Sequence, residues 1–166
     1  MRLAGTGHRP DKLGGYTRPF QEPSPVELRV RAAIRDAFFE LKPDAVMSGM
    51  ALGFDTWLAQ EALGLGIPLH AAVPFEGQEL RWPEYAQTVY RKLLKRCTAV
   101  TFVSNHHNAH AFQVRNVFMV DWLTMRGDDV LLTCWDGSGG GTFNCLQYAE
   151  YRKARVRRID PATLKP

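Results

Sequence analysis

At 166 residues the chain fits one domain and can bury a sizeable core. Its 45% hydrophobic and 23% charged content is that of an ordinary globular protein, and no apolar run is long enough to span a bilayer. A net charge of +4 suits an anionic ligand but is too mild to establish nucleic-acid binding.

The N-terminal "MRLAGTGHRP" lacks the apolar stretch and cleavage site of a secretory leader, so a cytoplasmic location is expected. Residues 3–5 open as a short strand, and residues 7–23, rich in glycine and proline, read as a long loop. Ser24, Pro25 and Glu27 form a capping box, and Val26, Val30, Ile34, Phe38 and Leu41 follow on one face, which predicts a helix over 24–41. "DAVMSG" (44–49) predicts a strand, and residues 55–65 a helix ended by Gly66. A strand over 67–74, a helix over 83–94, a strand over 99–104 and an apolar helix over 111–123 follow. "DVLLTCW" (129–135) predicts a fifth strand, then a glycine-rich turn and a helix, and "ARVRRI" (154–159) a last strand. Strands alternating with helices imply an α/β fold: a single Rossmann-like domain over 1–166, with a mainly parallel sheet and helices on both faces.

Cys97, Cys134 and Cys145 form an odd set without CxxC spacing, so neither a disulfide framework nor a zinc site is expected. Cys134 reads as a reduced, buried thiol. His106, His107 and His110 stand at helical spacings, but no carboxylate or cysteine lies near them in sequence, and no metal is expected.

In open α/β sheets ligands bind beyond the carboxyl ends of the strands. Three glycine-bearing loops leave the strands at that edge: "GTGHRP" (5–10), "SGMALGFD" (48–55) and "DGSGGGT" (136–142). Successive amides in a glycine turn form an anion-binding concavity, and a helix N-terminus adds free donors and a favourable dipole. Gly139, Gly140, Gly141 and Thr142 are therefore candidates for a phosphate nest, with Thr142 as cap or extra donor. Ser48, Gly49 and Gly53 offer backbone amides; Gly5, Thr6, Gly7, His8 and Arg9 add a donor and a permanent charge. Neither GxGxxG nor GxxxxGK[ST] is present in register, which argues against an ordinary dinucleotide fingerprint or P-loop.

Together "GTGHRPDKLGGY", "SGMALGFD", "PFEGQELRW", "RNVFMVD" and "WDGSGGGTFNC" resemble the SLOG superfamily, within it the YoqJ- and YpsA-like branch often carried by phages. The motifs span almost the whole chain in the expected order. The resemblance implies a Rossmann-like sheet that binds a nucleotide or an ADP-ribose-type ligand. Related members include the LOG phosphoribohydrolases, the DNA-processing DprA proteins and sensors of cyclic ADP-ribose-like signals. LOG enzymes carry a GGxGTxxE signature with a catalytic glutamate. Here Cys145 stands in that register, and a thiol cannot stabilise an oxocarbenium-like centre as a carboxylate does.

The apolar helix also carries Arg115, Asn116 and Asp121, charges and amides that either pair internally or line the site. The resemblance, through "RNVFMVD", favours site-lining for Arg115 and Asn116. Asp55 is either a helix N-cap or a group that bonds ribose hydroxyls or orients a water, and Asp136 has the same two readings. Phe54, Phe75, Trp82 and Trp135 are candidates to stack on a base or to pack. The basic "RKARVRR" tail either touches nucleic acid or protects an edge strand.

Three functions remain in view. The first is a nucleotide-binding module that needs no cofactor and takes a phosphorylated small molecule for sensing or sequestration, possible partners being other copies of itself in a homo-oligomer. The second is a hydrolase of nucleotide or N-glycosidic bonds using Asp55, Asp121 or Asp136. The third, a DprA-like binder of single strands, is not expected, because a long basic stripe with interleaved aromatics is missing.

Overall fold

The computed structural model describes every residue except 17, 19, 20, 124–126, 165 and 166; three of these fall in the long first loop. Six strands alternate with five helices: β1 (Arg2–Gly7), α1 (Pro25–Leu41), β2 (Ala45–Ser48), α2 (Phe54–Gly64), β3 (Leu69–Val73), α3 (Glu84–Leu94), β4 (Ala99–Phe102), α4 (Ala109–Trp122), β5 (Val130–Cys134), α5 (Gly141–Tyr151) and β6 (Arg155–Ile159). The strands form one sheet in the order β4-β3-β2-β1-β5-β6, and every pair is parallel.

Local chemistry sets the helix ends. Ser24 accepts a hydrogen bond from the Glu27 amide at 3.1 Å, as the capping box predicts. Asn108 does the same for the Ala111 amide and starts α4 two residues before the expected position. Gly66, just beyond α2, has φ +71, a left-handed conformation that suits glycine. Gly64 is different: it is the last residue of α2, outside that region, and an added Cβ would meet no atom within 4 Å. Gly64→Ala is therefore expected to raise stability by about 0.4–1 kcal/mol in a urea titration, by removing freedom from the unfolded chain.

The alternation along each strand splits the core between two faces. Leu3, Val46, Leu69 and Leu132 face α1, α2 and α3, which supply Val30, Ile34, Phe54, Leu58 and Leu93. Ala4, Met47, Ala72 and Leu131 face α4 and α5, which supply Met119, Val120, Cys145 and Ala149. Helices thus cover both faces of the sheet.

The connections explain where a cleft must open. From β1 to β4 the chain steps outward in one direction; α4 then carries it back to β5, on the other side of β1. The loops after β1 and β5 therefore diverge from neighbouring strands, and this switch point is the usual ligand crevice of such sheets.

β1 is longer than the sequence reading, running through Gly5, Thr6 and Gly7 to the sheet's edge. Close packing accounts for its glycines. A Cβ on Gly5 would lie 2.1 Å from a Leu58 methyl, and one on Gly7 about 2.5 Å from the Phe54 ring. Helix α2 rests directly on bare backbone.

Candidate functional site

A cleft of about 380 Å³ opens at the switch point. Thr6, Gly7, His8, Arg9, Asp11 and Lys12 line it from the first loop, and Ala51 and Asp55 from the second. Helix α4 contributes Phe112, Arg115 and Asn116, and the last loop contributes Gly139 to Thr142.

The second loop holds a buried ion pair. Arg115 Nη1 donates to the Gly49 carbonyl at 2.8 Å and to Asp55 Oδ2 at 3.2 Å, while Nε donates to Asn116 Oδ1 at 3.0 Å. The remaining terminal nitrogen, Nη2, has no partner among the described residues, and the Arg115 side chain is 10% exposed. Asp55 Oδ2 also accepts the Ala51 amide, but Oδ1 is sealed without a donor. Burial pushes the Asp55 carboxyl above the ordinary carboxylate range, and the neighbouring Arg115 pulls the other way.

Asp55 is not the N-cap of α2. Gly53 holds that place with φ +88, and a Cβ there would lie 2.7 Å from the His8 carbonyl. Ser48 binds the Asp55 carbonyl through its hydroxyl at 2.7 Å and accepts the Met50 amide. Met50 itself, buried, sits at φ +56, so this loop is held in a strained shape by its surroundings. Gly49 has no spare room: its Cβ would fall 2.0 Å from Arg115 Nη1. Gly5, Ser48, Gly49 and Gly53 thus shape the site from behind, and none of them lines the cleft. Gly53 instead borders a second cavity of about 310 Å³ toward α1 and α3.

The third loop behaves otherwise. Gly140 caps α5 with φ +131 and no side chain supports it. Gly139 and Gly141 lie outside the left-handed region, and a Cβ on either would meet no atom within 4 Å. Neither packing nor backbone conformation requires glycine there. Among the described residues, no acceptor takes the amides of residues 139–143. The Asn116 amide group donates to the Gly141 carbonyl at 3.2 Å and ties this helix start to α4.

A polar network joins the first and third loops. His8 Nε2 lies 2.7 Å from Asp136 Oδ1, the same oxygen that accepts the Ser138 amide and hydroxyl at 2.8 and 2.6 Å. These donors, Ser138 foremost, hold the Asp136 carboxyl well below the usual carboxylate range. Lys12 donates to the Ser138 hydroxyl, and Trp135 Nε1 donates to the Ser138 carbonyl at 2.6 Å.

Asp121 does not reach the cleft. On the face of α4 that meets α5, its carboxylate accepts from Tyr148 at 3.0 Å and from Arg152, and it is not among the residues that line the cleft. Phe54 is fully buried, Trp82 packs edge-on against Tyr90, and Trp135 lies beneath Arg158. The aromatic wall of the cleft is Phe112, whose ring has Arg9 at 5.8 Å and Phe75 edge-on at 5.7 Å. Phe112 was legible in principle, because it stands one helical turn before Arg115 and Asn116. Among the described residues, no cluster of His, Cys, Asp or Glu could hold a metal, and no helix is long and apolar enough to cross a membrane.

Comparisons with known proteins show the family and the fold. The sequence model of the YspA SLOG family matches residues 3–157. The chain is similar to a UPF0398 protein of Lactobacillus helveticus, 29% identical over 170 residues, covering 96% of this chain and 86% of that protein. A UPF0398 protein of Bacillus velezensis is 25% identical over 158 residues, covering 91% and 84%. Among solved structures, DNA processing protein A of Streptococcus pneumoniae superposes with a TM-score of 0.63 at 16% identity. That of Helicobacter pylori, whose structure concerns single-stranded DNA binding, gives 0.66 at 15%. Both likenesses are of fold, covering 96% of this chain but 50% and 65% of theirs.

Proposed function

The chain belongs to the YspA SLOG family, and on that premise we propose that it binds a nucleotide or ADP-ribose-type ligand by its phosphate, for sensing or sequestration. The observation that carries this reading is the third loop. Gly139 and Gly141 are glycines that packing among the described residues does not require, beside amides that no acceptor among those residues takes. A phosphate against the start of α5 would meet those amides and the helix dipole, with Arg115 Nη2 as a second charged donor on the same cleft. Phe112 and Arg9 offer a flat face and a cation for a base.

The test is a thermal-shift series with adenine nucleotides, NAD and ADP-ribose. A ligand at a hundred times its Kd adds about 2.7 kcal/mol of stability. Gly141→Glu brings a carboxylate to the start of α5 from a position where an added Cβ meets no neighbour within 4 Å. Its own stability is expected to stay within about 0.5 kcal/mol of wild type, while the ligand-induced shift disappears. A variant that shifts as the wild type does would count against the site.

Single-stranded nucleic acid is the second reading, carried by the likeness of fold to DprA. Affinity for an oligonucleotide that falls steeply with salt would favour it. The basic tail argues the other way: Arg152, Arg157 and Arg158 are spent on Asp121, Glu40 and Asp160 of the same chain.

A further inference from the structure

We infer that His8 transfers a proton in this cleft, oriented by Asp136, and that the chain hydrolyses a phosphoester or phosphoanhydride bond of the phosphorylated ligand it holds. The inference rests on the binding reading above. The carboxylates first considered for catalysis are committed elsewhere: Asp55 to Arg115, Asp121 to Arg152 and Asp136 to His8 and Ser138. Cys145 is fully buried, and burial pushes its thiol up to about 11. None of these three carboxylates is free for a glycosidic route, which needs a carboxylate at the sugar; the remaining carboxylate on the cleft is Asp11.

His8 is placed differently. Its side chain is 6% exposed yet lines the cleft. Its backbone is pinned on both sides, the amide donating to Cys134 at 3.0 Å and the carbonyl accepting from Phe54 at 3.2 Å. The 2.7 Å contact to a firmly ionised carboxylate puts a proton on Nε2, donated to Asp136. The Asp136 amide is also directed at Nε2 at 3.1 Å; with the proton on Nε2 that hydrogen bond is given up for the shorter, charge-assisted one to Oδ1. Nδ1 is then the free ring nitrogen. It has no partner among the described residues and is not sealed from solvent, in a residue that lines the cleft. A base held by a carboxylate, facing an anion site, is the arrangement that acid–base chemistry needs.

The step balances with water alone. Nδ1 takes a proton from a water whose oxygen bonds to phosphorus. The bond from phosphorus to the leaving oxygen breaks, and its electron pair goes to that oxygen. The imidazolium, stabilised by Asp136, releases the proton to solvent, and the leaving oxygen, in line on the far side of phosphorus, takes one from water. Charge growing on the phosphoryl oxygens falls against the α5 amides and Arg115.

Purified protein is incubated with ATP, ADP and ADP-ribose, cleavage is followed by phosphorus NMR, and binding is read separately by thermal shift. Wild type is expected to cleave at least one of the three. His8→Ala should lose about a hundredfold or more in turnover, keep its ligand-induced shift, and recover in part with free imidazole. His8→Gln, which can still donate to Asp136, should fold and bind but not turn over. Asp136→Asn should lower kcat with little change in KM and alter the pH profile of kcat. Binding without cleavage of any of the three overturns the inference and leaves the binding reading standing. So does turnover in His8→Gln, or a His8→Ala loss that imidazole does not relieve. Absence of any shift in wild type overturns the binding reading, and this inference with it.

Discussion

Arg115→Leu is expected to cost about 3–5 kcal/mol at neutral pH, because it strands a buried carboxylate rather than merely deleting a contact. In the wild type the guanidinium offsets Asp55, which is almost fully buried and has one oxygen without a donor. Without it, desolvation acts on Asp55 unopposed by its main partner, and the carboxyl rises further above its ordinary range. A carboxyl raised in the folded state favours the fold below its unfolded value, and that contribution is lost as pH rises through the folded value. The deficit of Arg115→Leu relative to wild type should therefore be largest near neutrality and shrink as pH falls toward about 5. Paired urea titrations at the two pH values check this. Adding Asp55→Asn removes the stranded charge and should restore much of the loss. A deficit that is the same at both pH values and unrelieved in the double variant would mean that packing, not charge, is what Arg115 supplies.

The same pair shows what the sequence could and could not disclose. Arg115 and Asn116 could be suspected, because a helix apolar on nearly all sides should not carry them without a use. That Arg115 reaches across to Asp55 and Gly49, about sixty residues earlier, follows only from the sheet order, which brings α4 back over β1. Asp121, six residues after Arg115, was on paper a candidate carboxylate for hydrolysis. It lies outside the cleft because it sits on the face of α4 that meets Arg152 and Tyr148 of α5.

Element positions were legible where a local rule acts alone: the Ser24 cap, the Gly66 stop, the period of Val30, Ile34 and Phe38. They blurred where tertiary contact decides. Gly7 read as the start of a loop because glycine signals turns, yet it continues β1 because α2 needs a smooth surface to lie on. The glycines of the three loops therefore do different work, which composition cannot separate. In the first two, at Gly5, Gly7, Gly49 and Gly53, neighbouring atoms exclude a Cβ; in the third, at Gly139 and Gly141, they do not.

That distinction leads to the other large effect. Phe54→Ala is expected to cost about 3–5 kcal/mol, the range for deleting a fully buried aromatic side chain. Phe54 begins α2, donates its amide to the His8 carbonyl, and fills the space above Gly7. Gly7→Ala alone should cost about 1–3 kcal/mol, because its methyl would collide with the Phe54 ring and Cβ, which the helix start cannot easily move. In the Phe54→Ala background the ring is gone, so the added methyl meets fewer atoms and occupies part of the cavity. The two losses should then fall short of additive by about 1 kcal/mol or more in a double-mutant cycle. Strict additivity would mean that Gly7 is required for its backbone rather than for the ring that rests on it. Gly139→Ala, in contrast, should leave stability within about 0.5 kcal/mol of wild type, with no coupling to Phe54.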